Sequence, residues 1–594
     1  MDDQKNFILA MALSAIVLMG YWFFIGEPTA ERARIDAQNE IARMDQTPSI
    51  EPEILPIKIK PREELLQETS GEGQRINIET PALTGSFQTV GMRLDDISLK
   101  EYDRTLDPAD GIVTLLVPEG AERSAYIMDN WVGSLGGIGT DTPWQVVSGD
   151  TLTPTSPITL QTNVGDVEIR RVVSIDDKFL ITLTDTLTNT GSREAAIVRT
   201  GVSRQHELPD ELENFFVIQE GPISVVDQKY HDMKYKGLSK KGNWTAKGEG
   251  GWVGLTDKYW LQGAIAPQGK TITASYDFKT INDQSVYETS YTTDPLILTA
   301  GASVESVGHM YIGAKERGVL KTYKEERGIQ QIDLAIDWGF LKILVRPISF
   351  ALSWLGETLG NYGVGILALT LIIKILLFPL FNKQYESQAK MKKVQPALKK
   401  IQTRYKDDRM KLQQEMMALY KKEGVNPAAG CLPIIPTMFV FFALYKSVFI
   451  DIDLRHEPFF GYIRDLSAKD PLSILNGFGL FPWDAVPMGW MSLIAIGPLA
   501  IMYGISMALM YTLTPQPTAG GGEQAEMMAK MMKYMPWIFM FVLAPFATGL
   551  LIYWVWNNIL SFAQQYYITR KFKVDTPIDK FIRKITGKPE PEGT

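Results

Sequence analysis

The chain has 594 residues and a formal net charge of −8, and 45% of its residues are hydrophobic. This length exceeds what a single hydrophobic core supports, so two or more domains are expected. The single cysteine, Cys431, excludes an internal disulfide, and the four histidines show no ligand spacing, so neither a metal nor another cofactor is predicted.

An apolar run occupies residues 7–26 near the N-terminus. At roughly 1.5 Å per residue, a helix of this length crosses the ~30 Å hydrocarbon core of a bilayer. A cleaved signal peptide is the alternative, but the run is too long for one and no A-x-A cleavage site follows it. Residues 1–26 are therefore predicted to form an uncleaved transmembrane anchor.

The two regions after the anchor differ in composition. Residues 27–70 contain ten acidic residues, six basic residues and five prolines, which predicts a flexible, extended linker. Residues 71–330 show alternating apolar and polar positions, as in 179–184, where the run ends at the turn 189–191. Such short strands predict a large all-β sandwich. Its histidines and carboxylates form no recognisable catalytic pair, which favours a binding or spacing domain over a catalyst.

Apolar residues recur at helical spacing in residues 331–355. Because they lie just before a span, they predict an amphipathic helix along the outer membrane interface. An extension of the following span is the alternative, and Pro347 offers a point of division between the two. The second span is predicted within residues 356–382, where the apolar run 362–381 contains one charge, Lys374.

Spans three to six are predicted within residues 431–570. The runs 432–450 and 488–513 each have the length of one crossing. The run 534–568 is too long for one crossing, and the residues 544–549, Ala-Pro-Phe-Ala-Thr-Gly, offer a break, so a hairpin of two helices is expected. The total is six spans.

The orientation follows from the basic residues of the loops. Residues 382–430 carry 12 Lys/Arg against 5 Asp/Glu, whereas residues 451–487 carry 3 against 6. The first loop is therefore predicted to be cytoplasmic and the second external. Both termini are then cytoplasmic, including the basic tail 571–594, and the β domain lies outside.

The cytoplasmic region 383–430 shows two apolar stripes, which predict a hairpin of two helices packed antiparallel. The stripes consist of Met391, Val394, Leu398, Ile401 and Tyr405 in the first and Leu412, Met416 and Leu419 in the second. The basic residues outside the seam favour anionic lipid headgroups or ribosomal RNA. The alternative is that these charges only set the topology.

Several motifs in the second half resemble those of the YidC membrane insertases. They are QQEMMALYKKEGVNPAAGCLP at 413–433, FFALYKSV at 441–448, DLSAKDP at 465–471, NYGVGILALTLIIKILLFPL at 361–380 and TGLLIYWVWNN at 548–558. The β region resembles the family through GGWVGLTDKYW at 250–260. The resemblance covers essentially the whole chain and is to the Gram-negative type, which has a large periplasmic domain.

The resemblance implies a helical membrane protein of the bacterial inner membrane, with a five-helix insertase core and a sugar-enzyme-like periplasmic β supersandwich. It implies a non-enzymatic insertase and chaperone for nascent membrane proteins, working alone or with the Sec translocon through a hydrophilic groove open to cytoplasm and lipid. The ribosome and anionic lipids are further expected partners, and DNA is not. The implied groove residues are Lys374, Thr370, Thr437, Tyr553 and Trp554, and the implied substrate slide consists of Met438, Phe441, Pro536, Phe539, Val542 and Leu543.

Lys374 is expected to be the only strongly basic group well inside a span. Two interpretations follow from the residues alone: its side chain reaches up to the headgroups, or it lines a water-filled groove, with Thr370 one turn away on the same face. The resemblance favours the groove, because the family carries its groove cation at this position, most often as arginine. Lysine keeps the charge but lacks the planar fork that binds a carboxylate through two hydrogen bonds.

Two other functions compete with the insertase. A multi-span solute transporter is expected to show intramembrane carboxylates and inverted repeats, and the six predicted spans contain no Asp or Glu. A membrane-anchored glycan-binding protein would place the activity in the β domain. Deleting residues 71–320 distinguishes the insertase from the glycan-binding protein. The insertase interpretation predicts that most insertion survives, and the glycan interpretation predicts that function disappears.

Overall fold

The structure is a computed structural model. Residues are described in these ranges: 59–72, 74–133, 136–137, 142–209, 212–213, 217–281, 283–405, 408–425, 434–481, 494–514, 523–572, 574 and 576–586. The predicted anchor 1–26 and most of the predicted linker lie outside the described residues.

The end of the predicted linker is helical, which corrects the expectation of an extended chain up to residue 70. Helix α1 (Arg62–Glu72) begins directly after Pro61. Its Leu65 is buried, and the Arg62 guanidinium donates a hydrogen bond of 2.9 Å to Asp96 in the β domain. These contacts with the sandwich order a polar segment whose composition alone does not predict a helix.

The all-β sandwich predicted for residues 71–330 is confirmed. The described strands are β1 (Arg75–Glu79), β2 (Leu83–Gln88), β3 (Arg93–Asp103), β4 (Ile112–Leu116), β5 (Ala125–Gly133), β6 (Gly136–Gly137), β7 (Gln145–Ser148), β8 (Thr151–Leu152), β9 (Ile158–Val164), β10 (Val167–Ile175), β11 (Leu180–Asn189), β12 (Ala195–His206), β13 (Gly221–Val226), β14 (Lys229–Asp232), β15 (Asn243–Glu249), β16 (Gly251–Thr256), β17 (Trp260–Ile265), β18 (Thr271–Ile281), β19 (Gln284–Thr293), β20 (Leu296–Leu298) and β21 (Ser303–Ala314). Short helix α2 (Tyr235–Lys241) interrupts them, and helix α3 (Arg317–Glu326) follows them.

The strands form two large sheets with mostly antiparallel pairing. One sheet has the order β15-β18-β19-β12-β5-β3-β2-β1-β8, with β20, β4 and β6 added at its sides, and the other has the order β14-β13-β16-β17-β21-β11-β10-β9-β7. Alternate residues of β10 point inward, where Val167, Ile169 and Val173 are buried. The inward faces of both sheets share one hydrophobic core.

The helices of the second half are α4 (Lys342–Leu359), α5 (Tyr362–Leu376), α6 (Phe378–Arg404), α7 (Arg409–Lys422), α8 (Ile434–Ile450), α9 (Pro498–Leu513), α10 (Glu523–Leu543), α11 (Thr548–Lys571) and α12 (Pro577–Thr586). The break between α10 and α11 falls within the predicted residues 544–549, as expected of a helical hairpin. Helices α4, α5, α8, α9, α10 and α11 contribute to a second hydrophobic cluster, separate from the core of the sandwich.

The amphipathic helix lies later in the chain than the sequence predicts. It begins at Lys342, so Leu334 and Trp338 belong to the preceding segment, and it continues to Leu359. Pro347 lies inside α4 without ending it. The division from the next helix is instead at Gly360, which has a positive φ of 66°, a conformation that glycine adopts without strain.

The apolar run of the second span is bent. Helix α5 ends at Leu376, and α6 continues from Phe378 at an angle of 71°. Pro379 explains the bend, because proline cannot donate a helical hydrogen bond and its ring clashes with the preceding turn. The run 362–381 is therefore not one straight helix, and Lys374 lies in the last turn of α5.

The apolar helices among the described residues are either short or bent. Within the described ranges, no single helix of at least 18 residues is apolar enough to cross a bilayer, although the bent pair α5 and α6 passes together. Met438–Ile450 and Pro498–Leu513 are apolar helices of shorter length.

Helices α6 and α7 pair through the two stripes recognised in the sequence. Val394 and Leu398 of α6 share a cluster with Leu412 and Met416 of α7. Helix α6 begins at Phe378, five residues before the predicted hairpin boundary at 383, because it starts directly after the bend.

Candidate functional site

Lys374 is buried where α5 meets α11, with only 9% of its surface exposed. Its ammonium donates a hydrogen bond of 2.6 Å to the Ser561 hydroxyl and lies 4.2 Å from the centre of the Phe381 ring. In the part of the chain that the structure describes, no carboxylate forms a salt bridge with Lys374. Among the described residues, the partners of this positive charge are therefore neutral, a hydroxyl dipole and an aromatic face.

Polar groups on α11 continue this site along one face of the helix. Tyr553, Asn557 and Ser561 follow each other at intervals of four residues, so their side chains lie on the same side. The Ser561 hydroxyl donates a 2.6 Å hydrogen bond to the Asn557 carbonyl oxygen, which leaves its own oxygen to accept from Lys374. The sequence did not single out Asn557 or Ser561, although polar residues at this spacing in an apolar run are a usable signal.

Thr370 lies one turn before Lys374 on α5, as predicted, and is buried. Its hydroxyl donates a 2.7 Å hydrogen bond to the Ile366 carbonyl oxygen within the same helix. The hydrogen of this hydroxyl is therefore already used, and only the oxygen remains to accept a hydrogen bond from another group.

A cavity of about 350 Å³ opens beside Lys374. Its walls combine polar groups near the ammonium with apolar side chains from α5, α6, α8, α9 and α11. The lining residues are Thr370, Ile373, Lys374, Leu377, Phe381, Gln384, Tyr385, Met438, Val440, Phe441, Leu444, Met510, Tyr553, Asn557, Asn558 and Ser561. Five residues picked from the sequence thus share one cavity: Lys374, Thr370, Tyr553, Met438 and Phe441.

Trp554 lies next to the cavity but does not line it. Its ring is buried and stacks on Phe441 with centroids 5.8 Å apart, while Tyr503 and Phe546 pack at 5.8 and 5.5 Å. Trp554 thus supports the wall of the cavity from behind. The side chain of Thr437 lies outside the described residues.

The residues expected to form the substrate slide differ in exposure. Met438, Phe539 and Val542 are exposed, and Phe441 is half-buried. Pro536 and Leu543 are buried, and Leu543 belongs to the hydrophobic cluster of the helices. The accessible apolar surface of this set therefore lies on α8 and α10, without Pro536 and Leu543.

A second buried lysine lies near the C-terminal end of α8. Lys446 of α8 is buried, and its ammonium lies 2.6 Å from the Asp337 carboxylate and donates to the Val217 carbonyl oxygen. The sequence missed this pair because Asp337 precedes Lys446 by 109 positions. Lys446 is neutralised by the segment that follows the β domain, whereas Lys374 is not.

Comparisons with known proteins identify the family. A model described as "60Kd inner membrane protein" matches residues 354–576, and one described as "YidC periplasmic domain" matches residues 75–351. The membrane protein insertase YidC of Maricaulis maris is 40% identical over 596 residues, which cover 98% of each chain. The chain belongs to the YidC family of membrane protein insertases. The YidC protein of Cereibacter sphaeroides is 39% identical over 598 residues, covering 96% of this chain and 93% of the relative.

A solved structure of an active YidC insertase with its first transmembrane domain resolved covers 87% of this chain and 95% of its own, at 16% identity and a TM-score of 0.33. Family membership decides between the three functions considered above. The protein is a YidC-type insertase of the inner membrane with a periplasmic domain, it acts on membrane proteins, and it is not an enzyme.

Proposed function

We propose that the cavity beside Lys374 is the groove through which this insertase receives the polar part of an incoming membrane protein. The observation that carries the proposal is the buried ammonium with neutral partners. A lysine at the centre of a membrane helix costs about 2.5–3.5 kcal/mol on insertion scales. Water entering from the cytoplasm, or a carboxylate from a substrate, offsets that cost.

Charge determines which segments the groove attracts. An acidic segment replaces the Ser561 hydroxyl with a carboxylate and so gains a charge-assisted hydrogen bond, which contributes about 1.5–3 kcal/mol. Thr370 and Asn557 add polar groups along the cavity wall. A polar segment held there has less hydrocarbon still to cross, which lowers its barrier to translocation.

Lysine in place of the family's usual arginine affects geometry more than charge. An ammonium attracts a carboxylate without fixing its orientation, whereas a guanidinium holds both carboxylate oxygens at once. We therefore propose that the groove selects for acidic and polar segments in general. It does not recognise one carboxylate arrangement.

The apolar part of the substrate leaves over the exposed surface of α8 and α10. Met438 and Phe441 of α8 border the cavity, and Phe539 and Val542 are carried by α10. A substrate helix that moves along this slide into lipid gains about 0.3–0.6 kcal/mol for each central Leu or Ile. That partitioning drives insertion without a nucleotide.

The proposed topology has six spans, with both termini and the basic hairpin of α6 and α7 in the cytoplasm. The excess of basic residues in 382–430 supports this orientation. We propose that the hairpin meets anionic lipids and the ribosome, and that some substrates arrive with the Sec translocon. The tail 571–594, with α12, lies on the same side.

The test uses purified protein reconstituted alone in liposomes and several small membrane proteins with acidic or neutral external tails. Lys374→Ala is expected to slow insertion of acidic-tailed substrates by about tenfold, which corresponds to the loss of about 1.4 kcal/mol of attraction. Lys374→Arg is expected to keep it. The measurement is the fraction of each tail that becomes protected from protease inside the liposome.

Lys383→Ala is the matched control, because it removes an exposed lysine of α6 near the same bend. It is expected to insert every substrate at the normal rate. Equal insertion by Lys374→Ala and the unaltered protein for every substrate would overturn the proposal and leave a side chain that merely reaches the headgroups.

A further inference from the structure

The β domain contains a second cavity that the groove does not explain. Its volume is about 560 Å³, a size that takes a small ligand or a short stretch of chain. It lies between β4, the ends of β12 and β16, and the start of β17. The lining residues are Arg104, Asp110, Ile112, Val113, Thr114, Leu115, Val117, Glu122, Arg123, Gln205, Pro209, Tyr235, Leu255, Thr256, Asp257, Trp260, Leu261 and Gln262.

Strand β4 presents its edge to this cavity. Four successive residues, Ile112 to Leu115, line it, although successive side chains of a strand point to opposite faces. The cavity therefore runs beside the strand. Among the strands that the structure describes, β4 pairs with β3 alone, and one isolated bridge joins Val117 to Ala125 just beyond its end. Such an edge carries main-chain donors and acceptors that pair with another extended chain.

A buried amide beside this edge has an unused acceptor. Gln262 lines the cavity and is only 8% exposed, and its Oε1 accepts no hydrogen bond within the described part of the chain. Buried polar atoms are normally paired, so a lone carbonyl oxygen here calls for a donor from outside. Its neighbour Gln205 is already engaged, because its Nε2 donates to the Arg123 and His206 carbonyl oxygens at 3.2 and 3.1 Å.

The residues that line the cavity favour a polypeptide main chain over a sugar as its ligand. Arginines and carboxylates line the cavity in similar number, which suits a ligand without net charge. A sugar ring normally stacks on an open aromatic face, but Trp260 is buried, with Tyr102 packed against it and the Arg455 guanidinium 5.4 Å from its centre. A polypeptide needs N–H and C=O partners, which the β4 edge and Gln262 offer.

The cavity also lies close to the end of α8. Arg455, five residues beyond Ile450 at the end of that helix, donates hydrogen bonds to the Asp103 and Arg104 carbonyl oxygens at 2.8 and 3.1 Å. Arg104 lines the cavity. A translocated segment that leaves the membrane beside α8 therefore meets this cavity within a few residues.

We propose that the cavity beside β4 binds an extended, uncharged stretch of polypeptide, namely the external segment of a membrane protein during insertion. The segment adds to the edge of β4 that borders the cavity, and one of its backbone N–H groups donates to Gln262. The proposal rests on the proposed function, since it needs the end of α8 near Arg455 to face the periplasm.

The test measures binding to the full chain in lipid nanodiscs, with fluorescence anisotropy of a short, labelled, uncharged peptide rich in Thr, Val and Asn. Binding is expected, and Gln262→Met is expected to weaken it about tenfold, as for a lost hydrogen bond in a buried site. Gln161→Met, at a half-buried position of β9 outside the cavity, is the matched control and is expected to bind normally. The same peptide with N-methylated backbone amides needs no variant and is expected not to bind.

Three results overturn the proposal: no binding of the peptide, equal binding by Gln262→Met, or equal binding of the N-methylated peptide. Binding of chitotriose in place of the peptide also overturns it and assigns the cavity to glycans. Failure of the groove proposal is distinguishable, because it appears as normal insertion by Lys374→Ala, whereas peptide binding in nanodiscs is measured without insertion. Lys374→Ala is expected to bind the peptide as the unaltered protein does.

Discussion

The β domain and the helical core both bury positive charge, but they treat it differently. In the β domain, Arg171 and Arg199 are completely buried between the two sheets, and each is held by Asp129 and Asp185. In the helical core, Lys374 has a hydroxyl and an aromatic ring as partners. The first arrangement balances every charge, and the second leaves one positive charge to be balanced from outside.

The difference separates structural charges from functional ones. Arg171 and Asp185 stand opposite each other on β10 and β11, and Asp129 and Arg199 belong to β5 and β12 of the other sheet. The network thus joins the sheets, and its two guanidinium groups are balanced by two carboxylates. A buried ion pair of this kind is costly to break, whereas an unpaired ammonium is costly to keep. Lys374 is therefore the charge for which a ligand is expected.

Breaking the paired network is expected to give the largest effect. Asp185→Ala removes one of the two carboxylates that pair with the two buried guanidinium groups. It is expected to lower the free energy of unfolding of the β domain by about 3–5 kcal/mol. Urea unfolding of the full chain, followed by tryptophan fluorescence, measures this. Asp294→Ala is the control: it removes an exposed carboxylate paired with Lys247 and is expected to cost less than about 1 kcal/mol. Similar small losses for both variants would contradict a structural role for the network.

Lys315 shows how much folding stability a buried ammonium costs outside the predicted membrane spans. Burial lowers the pKa of Lys315 to about 8, although the nearby Asp257 carboxylate raises it, and its ammonium donates hydrogen bonds to Thr256 and to the Asp257 carbonyl oxygen. Because the folded state releases this proton more readily than the unfolded state, stability is lost as the pH falls from 10.5 toward 8.

The size of that loss is expected to be about 3 kcal/mol between these two pH values. Lys315→Met is expected to remove it, so the measurement is the difference in unfolding free energy between the two proteins across the range. Other lysines and the tyrosines titrate in both proteins and cancel. An unchanged difference across this range would show that Lys315 keeps an ordinary pKa.

Local patterns in the sequence predicted the elements of this structure well. The alternation in 179–184 predicted a strand that the structure contains, and the two apolar stripes of 383–430 predicted the packing of Leu398 and Met416 in one cluster. The residues at 544–549 predicted the break between α10 and α11. Each of these depends on neighbours a few residues apart, for which periodicity and turn chemistry are sufficient.

Pairings between distant residues could not be predicted in this way. Ser561 follows Lys374 by 187 positions, and nothing local marks one as the partner of the other. The Asp337 partner of Lys446 was missed for the same reason. The bend at Phe378 was missed because a proline at the second position of a helix is compatible with both a continuous and a broken span.

Ser561→Ala is expected to give the smallest effect of these changes. It removes the hydroxyl that holds the Lys374 ammonium in the cavity, so insertion of acidic-tailed substrates is expected to slow about two- to threefold. Added to Lys374→Ala, it is expected to cause no further loss, because both act through one contact. Ser387→Ala on α6 is the control for removing a hydroxyl. Additive losses in the double variant would show that Ser561 acts independently of Lys374.

Whether water reaches residue 374 from the cytoplasm is the most direct question about the groove. A single cysteine at position 374, in a chain with Cys431→Ser, is treated with a membrane-impermeant maleimide on vesicles that expose the cytoplasmic face. Rapid labelling is expected, while a cysteine at the exposed neighbour Leu371, which faces away from the cavity, is expected to stay unlabelled. A cysteine at 374 that resists the reagent as fully as one at 371 would contradict a water-filled groove.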